Sequence, residues 1–137
     1  MNHQSISRHI HKRSSIYLTL LYLAAVLARF LIALSWSDNP WIMPDEAWYT
    51  NLARSLFTTG QVLFRTQPIK YDALLYPLLL SHLYGLGGAV DTFRTIQLLN
   101  AFLINAWVFP MWYLARSVTG SHKSAWVVAI ICLLLPD

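Results

Sequence analysis

The stretch that decides the fold is IYLTLLYLAAVLARFLIAL, from Ile16 to Leu34. These nineteen residues contain one charge, Arg29, and a bilayer core is crossed by about 20 apolar residues. Arg29 lies near the end of the stretch, where its long side chain reaches the headgroup region. The run is longer than the apolar core of a signal peptide, about 7–15 residues, and no small-x-small cleavage motif follows it. The pattern therefore predicts an uncleaved membrane span over 16–34.

A second uncharged run, TIQLLNAFLINAWVFPMWYLA, predicts a span over 95–115. Pro110 predicts a kink in it, and Asn100 and Asn105 should face other helices because a lone amide in lipid is costly. A third run begins at Ser124 and reaches only about 18 Å before Pro136, short of the roughly 30 Å of hydrocarbon. We expect 124–137 to be the start of a third span in the first part of a larger membrane protein.

The charges predict the orientation. Basic residues without acids occupy 1–15 and 116–123, so both segments are expected on the cytoplasmic side by the positive-inside rule. The segment 35–94 contains five of the six acids and is expected to be an outer loop. The chain is thus predicted to be an all-α integral membrane protein of the plasma or inner membrane, with a cytoplasmic N-terminus.

Composition agrees with this class. The chain of 137 residues is 56% hydrophobic and 12% charged, with a mean hydropathy of +0.45, whereas soluble domains carry about 25% charged residues. These values exclude a disordered tail and a typical cytosolic domain. Cys132 is the single cysteine, which excludes an intrachain disulfide. The net charge of +4 follows the predicted topology, so we expect no nucleic-acid partner.

Two juxtamembrane helices are predicted in the outer loop. The first follows Pro44 and ends at Thr59-Gly60; its apolar stripe has Trp48, Leu52 and Leu56, and its polar stripe has Glu46, Thr50 and Arg54. A linker follows, and then 73–86 is apolar almost all round and ends at Gly85, Gly87 and Gly88. It is too short for a comfortable span, so an interfacial or half-inserted helix is expected.

The acidic pair Asp45-Glu46 has two interpretations. Asp is a favoured helix N-cap and Glu suits a first helical turn, which explains both residue types without a function. A carboxylate at a membrane surface can also deprotonate a hydroxyl or amine acceptor, or hold a divalent cation. The spacing alone does not distinguish the two interpretations, and it does not show whether a metal ion is bound.

The outer loop resembles a known enzyme class. The run Met43-Pro-Asp-Glu-Ala-Trp-Tyr-Thr-Asn-Leu-Ala-Arg-Ser-Leu, then Gly60, then Tyr71-Asp72-Ala-Leu-Leu-Tyr-Pro-Leu-Leu-Leu, is similar to the first outer loop of GT-C multi-spanning glycosyltransferases. The branch with protein O-mannosyltransferases and lipid A aminoarabinose transferases is the most similar. The resemblance covers Ile16 to Asp137 and implies the N-terminal part of a GT-C fold.

The resemblance also implies roles. Asp45 matches the catalytic carboxylate of these enzymes, with Glu46 beside it. Asp72 matches a second acid before a proline-containing helix, although relatives have a double proline where this chain has Ala-Leu-Leu-Tyr-Pro. Arg94 matches an Arg at the mouth of the second span. Tyr49 and Arg54 match the Tyr and Ala-Arg positions and are expected to bind substrate.

The implied reaction transfers a sugar from a polyprenyl-phosphate donor to an acceptor on the outer face of the cell envelope. Cations that could neutralise the leaving phosphate are Arg29, Arg54, Arg65 and Lys70. The implied partners are the lipid-linked donor, membrane lipids and the rest of the parent protein, without which we expect no activity. The alternative is a non-enzymatic small membrane protein whose Asp45 only caps a helix. A transporter half is disfavoured because the spans carry no paired acids or broken glycine helices.

Overall fold

A computed structural model describes residues 3–35, 44–70 and 72–135, with side chains from 14 in the first range and from 46 in the second. The described residues are mostly helical, as predicted: 80% of them are in helices. It divides into two compact units. One consists of Ala33–Leu98, and the other of Met1–Ile32 together with Leu99–Asp137. The predicted catalytic residues Asp45 and Glu46 belong to the first of these ranges.

Helix α1 extends over His3–Ser35. It begins well before the predicted span at 16, because no Pro or Gly interrupts residues 3–15. The predicted basic tail is therefore helical over most of its length. Within α1 the stretch Ser14–Ser35 is long and apolar enough to cross a membrane.

The second apolar stretch, Ala89–Thr119, also meets that criterion by length and composition. It consists of α4, Ala89–Asn105, and α5, Val108–Thr119, so it exceeds the predicted 95–115 at both ends. The interruption lies one turn before Pro110. A proline has no N–H for the carbonyl of residue i−4 and its ring clashes with that carbonyl. The Ala106 carbonyl accepts instead from the Phe109 N–H at 3.2 Å.

Helix α6, His122–Leu134, follows α5 closely. Only 120–121 lie outside the helices, so α5 and α6 extend into the segment 116–123 that is expected on the cytoplasmic side. Gly120 ends α5 in the left-handed region at φ 64°, where glycine has no Cβ penalty. The Ser121 hydroxyl caps α6 by accepting from the Ser124 N–H at 3.3 Å.

The unit formed by Met1–Ile32 and Leu99–Asp137 has its core where α5 and α6 pack together. Its buried members come from α1, α5 and α6: Leu18, Val108, Trp112, Ala125 and Ala129. The Tyr22 ring packs beside it, 4.9 Å from the Phe109 ring, and the Tyr22 hydroxyl donates to the Phe102 carbonyl at 3.0 Å. Small alanines on α6 allow this close helix packing, as is usual between apolar helices.

The other unit begins with α2, Pro44–Thr59, which agrees with the predicted juxtamembrane helix. Gly60 ends it at φ +69°, and the Gly60 N–H donates to the Leu56 carbonyl at 3.0 Å. Leu52, which was predicted on the apolar stripe, is fully buried, and so is Ala53 next to it. Trp48 is instead partly exposed and stacks on Phe64, with ring centroids 3.7 Å apart.

A small hairpin replaces the predicted linker. Strand β1, Leu63–Phe64, pairs antiparallel with β2, Gln67–Pro68. The turn residues Arg65 and Thr66 have φ of 48° and 72°. This left-handed pair is the backbone of a type I′ turn, which usually contains Asn-Gly. Arg65-Thr66 does not match that pattern, so the hairpin was not predicted. The Ser55 hydroxyl fixes the hairpin to α2 by donating to the Gln61 carbonyl and accepting from the Leu63 N–H.

The second apolar helix of this unit is shorter than the expected 73–86. It consists of α3, Leu75–Ser81, and a 3₁₀ turn, His82–Gly85. Pro77 and Leu80 are buried, whereas Leu75, Leu78 and Leu79 are exposed. The helix ends before Gly87 and Gly88, after which α4 begins.

Candidate functional site

The acidic pair lies at the start of α2. Pro44 is the first helical residue, a position where its missing N–H has no helical partner to lose. Asp45 and Glu46 follow in the first turn, where negative charge is favoured by the helix macrodipole. The Glu46 side chain is exposed, and that of Asp45 lies outside the described side chains. Both interpretations of the pair, a helix start and a reactive carboxylate, are compatible with this position.

Tyr49 lies one turn after this pair and contacts α3. Its ring meets the Tyr76 ring edge to face, with centroids 5.2 Å apart and an interplanar angle of 87°. This is a favourable geometry for two aromatic quadrupoles. Tyr49 therefore connects α2 to the helix that follows the predicted second acid.

Arg54, another predicted substrate-binding residue, lines an open groove of about 520 Å³ within the same unit. The groove is lined by residues of α2, of the 3₁₀ turn, of the segment that follows this turn and of the first part of α4: Thr50, Asn51, Arg54, Tyr84, Gly87, Ala89, Thr92, Phe93 and Ile96. The Arg54 side chain is exposed to solvent. A guanidinium presents five N–H donors and no acceptor, so it gives this groove a fixed positive charge.

Hydrogen bonds hold the wall of the groove in place. The Tyr84 hydroxyl donates to the Thr50 carbonyl at 3.0 Å and so links the 3₁₀ turn to α2. The Thr50 hydroxyl donates to the Glu46 carbonyl at 2.9 Å, and the Asn51 amide to the Ala47 carbonyl at 2.7 Å. The Thr50 hydroxyl hydrogen and one of the two Asn51 amide hydrogens are therefore bonded within α2.

Burial raises the pKa of the Tyr84 hydroxyl above its ordinary value, and the nearby Arg54 charge acts weakly in the opposite direction. Burial has this effect because it penalises the charged phenolate. Tyr84 is consequently protonated at neutral pH, and its donation to Thr50 persists there.

The six predicted site residues are thus only partly brought together. Arg54 lies in the groove, and Tyr49 lies beside α3. Asp72 is exposed on the segment before α3, and Arg94 is exposed on α4; neither lines the groove. The roles that the resemblance implies for Asp72 and Arg94 stay predictions.

The structure adds groove residues that sequence reasoning missed, Thr50, Asn51, Tyr84 and Thr92. Tyr84 and Thr50 are 34 positions apart, and no local pattern reveals such a contact. One signal was available: glycine is among the residues accepted at a helix N-cap, and Gly88 directly precedes the run that begins at Ala89. The described residues contain no cluster of three His, Cys, Asp or Glu side chains that could hold a metal ion.

Comparison with known proteins gives no family assignment. No family model, curated protein or solved structure matches this chain. The function therefore rests on the residues, their geometry and the resemblance of the outer loop.

Proposed function

We propose that this chain belongs to a membrane glycosyltransferase of the GT-C class, which transfers a sugar from a polyprenyl-phosphate donor to an acceptor on the outer face. The observation that supports it best is the start of α2. Asp45 and Glu46 lie in the first turn of a helix that follows one membrane-length apolar helix and precedes another. The resembling enzymes have their acidic pair in this order.

Exposure of the apolar helices supports insertion in a membrane. Only 11% of the apolar window in Ser14–Ser35 and 22% of that in Ala89–Thr119 is buried inside the protein. A core helix of a soluble protein would be mostly buried. Each Å² of apolar surface in water costs about 25 cal/mol, so faces this large require a lipid or protein surrounding. The length of the helices matches a bilayer of about 30 Å.

The proposed chemistry uses the Asp45 carboxylate as a general base, with Glu46 beside it. The Asp45 carboxylate takes the proton of an acceptor hydroxyl or amine as that atom attacks the anomeric carbon. The new glycosidic bond forms, the bond between the anomeric carbon and the phosphate oxygen breaks, and polyprenyl phosphate leaves with the electron pair. Arg54 and Arg94 are proposed to stabilise the negative charge on the leaving phosphate. Asp72 and Tyr49 would position the sugar.

The catalytic assignment is tested by transfer in membranes that contain the natural gene product. We expect Asp45→Asn to reduce transfer of labelled sugar from a polyprenyl-phosphate donor by about 10²–10⁴-fold, the usual size of general acid–base catalysis. The matched control is Asp38→Asn, which removes an acid of the same loop that carries no proposed role. Transfer unchanged in Asp45→Asn, or lost equally in Asp38→Asn, would contradict the assignment and favour the non-enzymatic alternative.

The proposed topology has a separate test. In a Cys132→Ser background, Thr58→Cys places a thiol on α2, and Lys123→Cys places one on α6; both native side chains are exposed. A membrane-impermeant maleimide should label Thr58→Cys in intact cells and Lys123→Cys only after permeabilisation. Equal labelling of both in intact cells would contradict the predicted sides.

A further inference from the structure

The second membrane-length stretch, Ala89–Thr119, is interrupted near its middle. Helix α4 ends at Asn105 and α5 begins at Val108. A continuous α-helix would pair each N–H with the carbonyl four residues back. Phe109 donates instead to the Ala106 carbonyl at 3.2 Å. Among the described residues, neither the Val108 N–H nor the Asn105 main-chain carbonyl has a hydrogen-bond partner.

Both of these backbone groups lie inside the protein. Asn105 is only 2% exposed and Val108 only 1% exposed. Val108 belongs to the core that α5 forms with α6 and α1, so bulk solvent does not reach its N–H. Buried backbone groups are almost always paired, with protein or with ordered water.

The Asn105 side chain supplies a second, independent observation. Its Nδ2 atom donates to the Ala101 carbonyl at 2.7 Å, one turn back on α4. Its Oδ1 atom is buried and accepts from no group in the part of the chain that the structure describes. A helix break alone would leave only backbone groups unpaired. Here a side-chain acceptor is unpaired beside them, on the same residue as the unpaired carbonyl.

The chemistry of these three groups selects the ligand. They are two acceptors, the Asn105 Oδ1 and main-chain carbonyl oxygens, and one donor, the Val108 N–H. A water molecule donates twice and also accepts, and a buried water typically makes about three hydrogen bonds to otherwise unpaired groups. A cation would be repelled by the N–H, and an anion by the two oxygens. Water at a break in the hydrogen-bond ladder is also a known way of pairing the groups that a proline sets free.

We propose that the break between α4 and α5 binds an ordered water molecule, which accepts from the Val108 N–H and donates to the two Asn105 carbonyl oxygens. Pro110 keeps this site open, because it has no N–H for the Ala106 carbonyl and its ring prevents the helix from closing. The site lies within one of the two units and includes no residue of the outer loop. It therefore holds whether or not the proposed transferase activity exists.

Nuclear magnetic resonance on the isotopically labelled full chain, in uncharged detergent micelles, detects this water directly. Rotating-frame cross-relaxation between water and an amide proton has the opposite sign to chemical exchange, so a bound water is distinguished from an amide that exchanges. We expect a cross-relaxation peak between water and the Val108 amide. The Leu114 amide, which lies inside α5, should show none. Absence of the Val108 peak in the native chain would overturn the proposal.

Two variants then test the groups that hold the water. Pro110→Ala restores an N–H at the break, so the helix can close and the Val108 peak should be lost. Asn105→Leu removes one of the three bonds to the water and should weaken the peak about 3-fold or more. The water peak, and not stability, is the diagnostic for Asn105→Leu, because the substitution removes the buried amide together with its bond.

Each variant has a matched control in the other unit. Asn51→Leu removes an amide that also donates to the carbonyl four residues back at 2.7 Å, and Pro68→Ala removes an exposed proline of the hairpin. Both should leave the Val108 peak unchanged, and equal loss in either would overturn the site. A peak retained in both Pro110→Ala and Asn105→Leu, with native helix content by circular dichroism, would also overturn it. A saturable shift of the Val108 amide when sodium chloride replaces choline chloride would identify a cation in place of the water.

Discussion

Leu52 on α2 is fully buried, whereas Leu27 on α1 is 57% exposed, although each is a leucine in the middle of a helix. The same contrast extends to the polar residues. Glu46, Arg54 and Asp72 are exposed in the unit of Ala33–Leu98, whereas Asn105 is only 2% exposed in the other unit. The clearest difference is on α1, where only 11% of the apolar window Ser14–Ser35 is buried, which suits the proposed lipid surrounding.

The difference between Leu52 and Leu27 shows that the two units are stabilised by different interactions. In water, burial of apolar side chains drives packing. Between helices in lipid this drive is absent, and close packing and internal hydrogen bonds replace it. The fully buried Ala125 and Ala129 and the bond from the Tyr22 hydroxyl to the Phe102 carbonyl fit that second regime. Substitutions can therefore distinguish packing driven by apolar burial from packing held by close contacts and internal hydrogen bonds.

The largest effect is expected for Leu52→Ala. The substitution leaves a cavity between α2 and α3 and should lower the free energy of unfolding of that unit by about 2–5 kcal/mol. Leu27→Ala is the matched control on α1 and should change stability by about 0.5 kcal/mol or less, since its side chain packs on little protein. Hydrogen exchange of the backbone amides in micelles measures both. Similar losses for the two would remove the contrast between the units.

Ser55→Ala comes next. It removes the hydroxyl that donates to the Gln61 carbonyl at 2.7 Å and accepts from the Leu63 N–H at 3.1 Å. Loss of these two bonds should destabilise the hairpin by about 1–3 kcal/mol, seen as faster exchange of the Leu63 amide. Thr58→Ala is the control, because its hydroxyl bonds only to carbonyls of its own helix. An unchanged exchange rate in Ser55→Ala would show that the hairpin is held by the Trp48–Phe64 stack alone.

Asn105→Leu is expected to leave stability unchanged or to increase it, in contrast to the two substitutions above. The Asn105 amide donates to the Ala101 carbonyl of its own helix at 2.7 Å, and its Oδ1 atom is buried without a partner among the described residues. An apolar side chain of similar size removes that unpaired acceptor, so stability should stay level or rise by about 1 kcal/mol. Asn100→Leu is the comparison, since Asn100 has a partner and its loss should destabilise. Thermal unfolding in micelles separates the two, and a clear loss in Asn105→Leu would contradict the expectation.

Sequence patterns predicted the elements that depend on local periodicity. The apolar runs marked α1 and the α4–α5 stretch, and Pro44 and Gly60 marked both ends of α2. The interruption expected from Pro110 lies one turn before it, because the clash is with the carbonyl at i−4. Helices α1 and α5 also extend into the segments 1–15 and 116–123, which the charge pattern assigned to the cytoplasmic side without a helix boundary.

The candidate site was less predictable because it depends on distant contacts. Arg54 was singled out by resemblance, but nothing local indicated that Tyr84 would reach the Thr50 carbonyl or that Thr92 would face the same groove. The hairpin was missed because Arg65-Thr66 is an unusual pair for a left-handed turn. Charge and hydrophobic periodicity predict which residues are exposed. The groove forms only when α2, the 3₁₀ turn and the start of α4 pack together, and no local pattern predicts that packing.

The smallest effect concerns Tyr84, whose hydroxyl joins the 3₁₀ turn to α2. Tyr84→Phe removes the bond to the Thr50 carbonyl and should cost about 0.5–1.5 kcal/mol at neutral pH. Burial raises the pKa of this hydroxyl in the folded chain, so folding favours the protonated form. The associated stability is fully present below the unfolded pKa of about 10 and is lost as pH rises through the folded value. The difference in stability between the native chain and Tyr84→Phe should therefore shrink at alkaline pH, and a difference that grows there would mean that the phenolate, and not the phenol, is the form the groove holds.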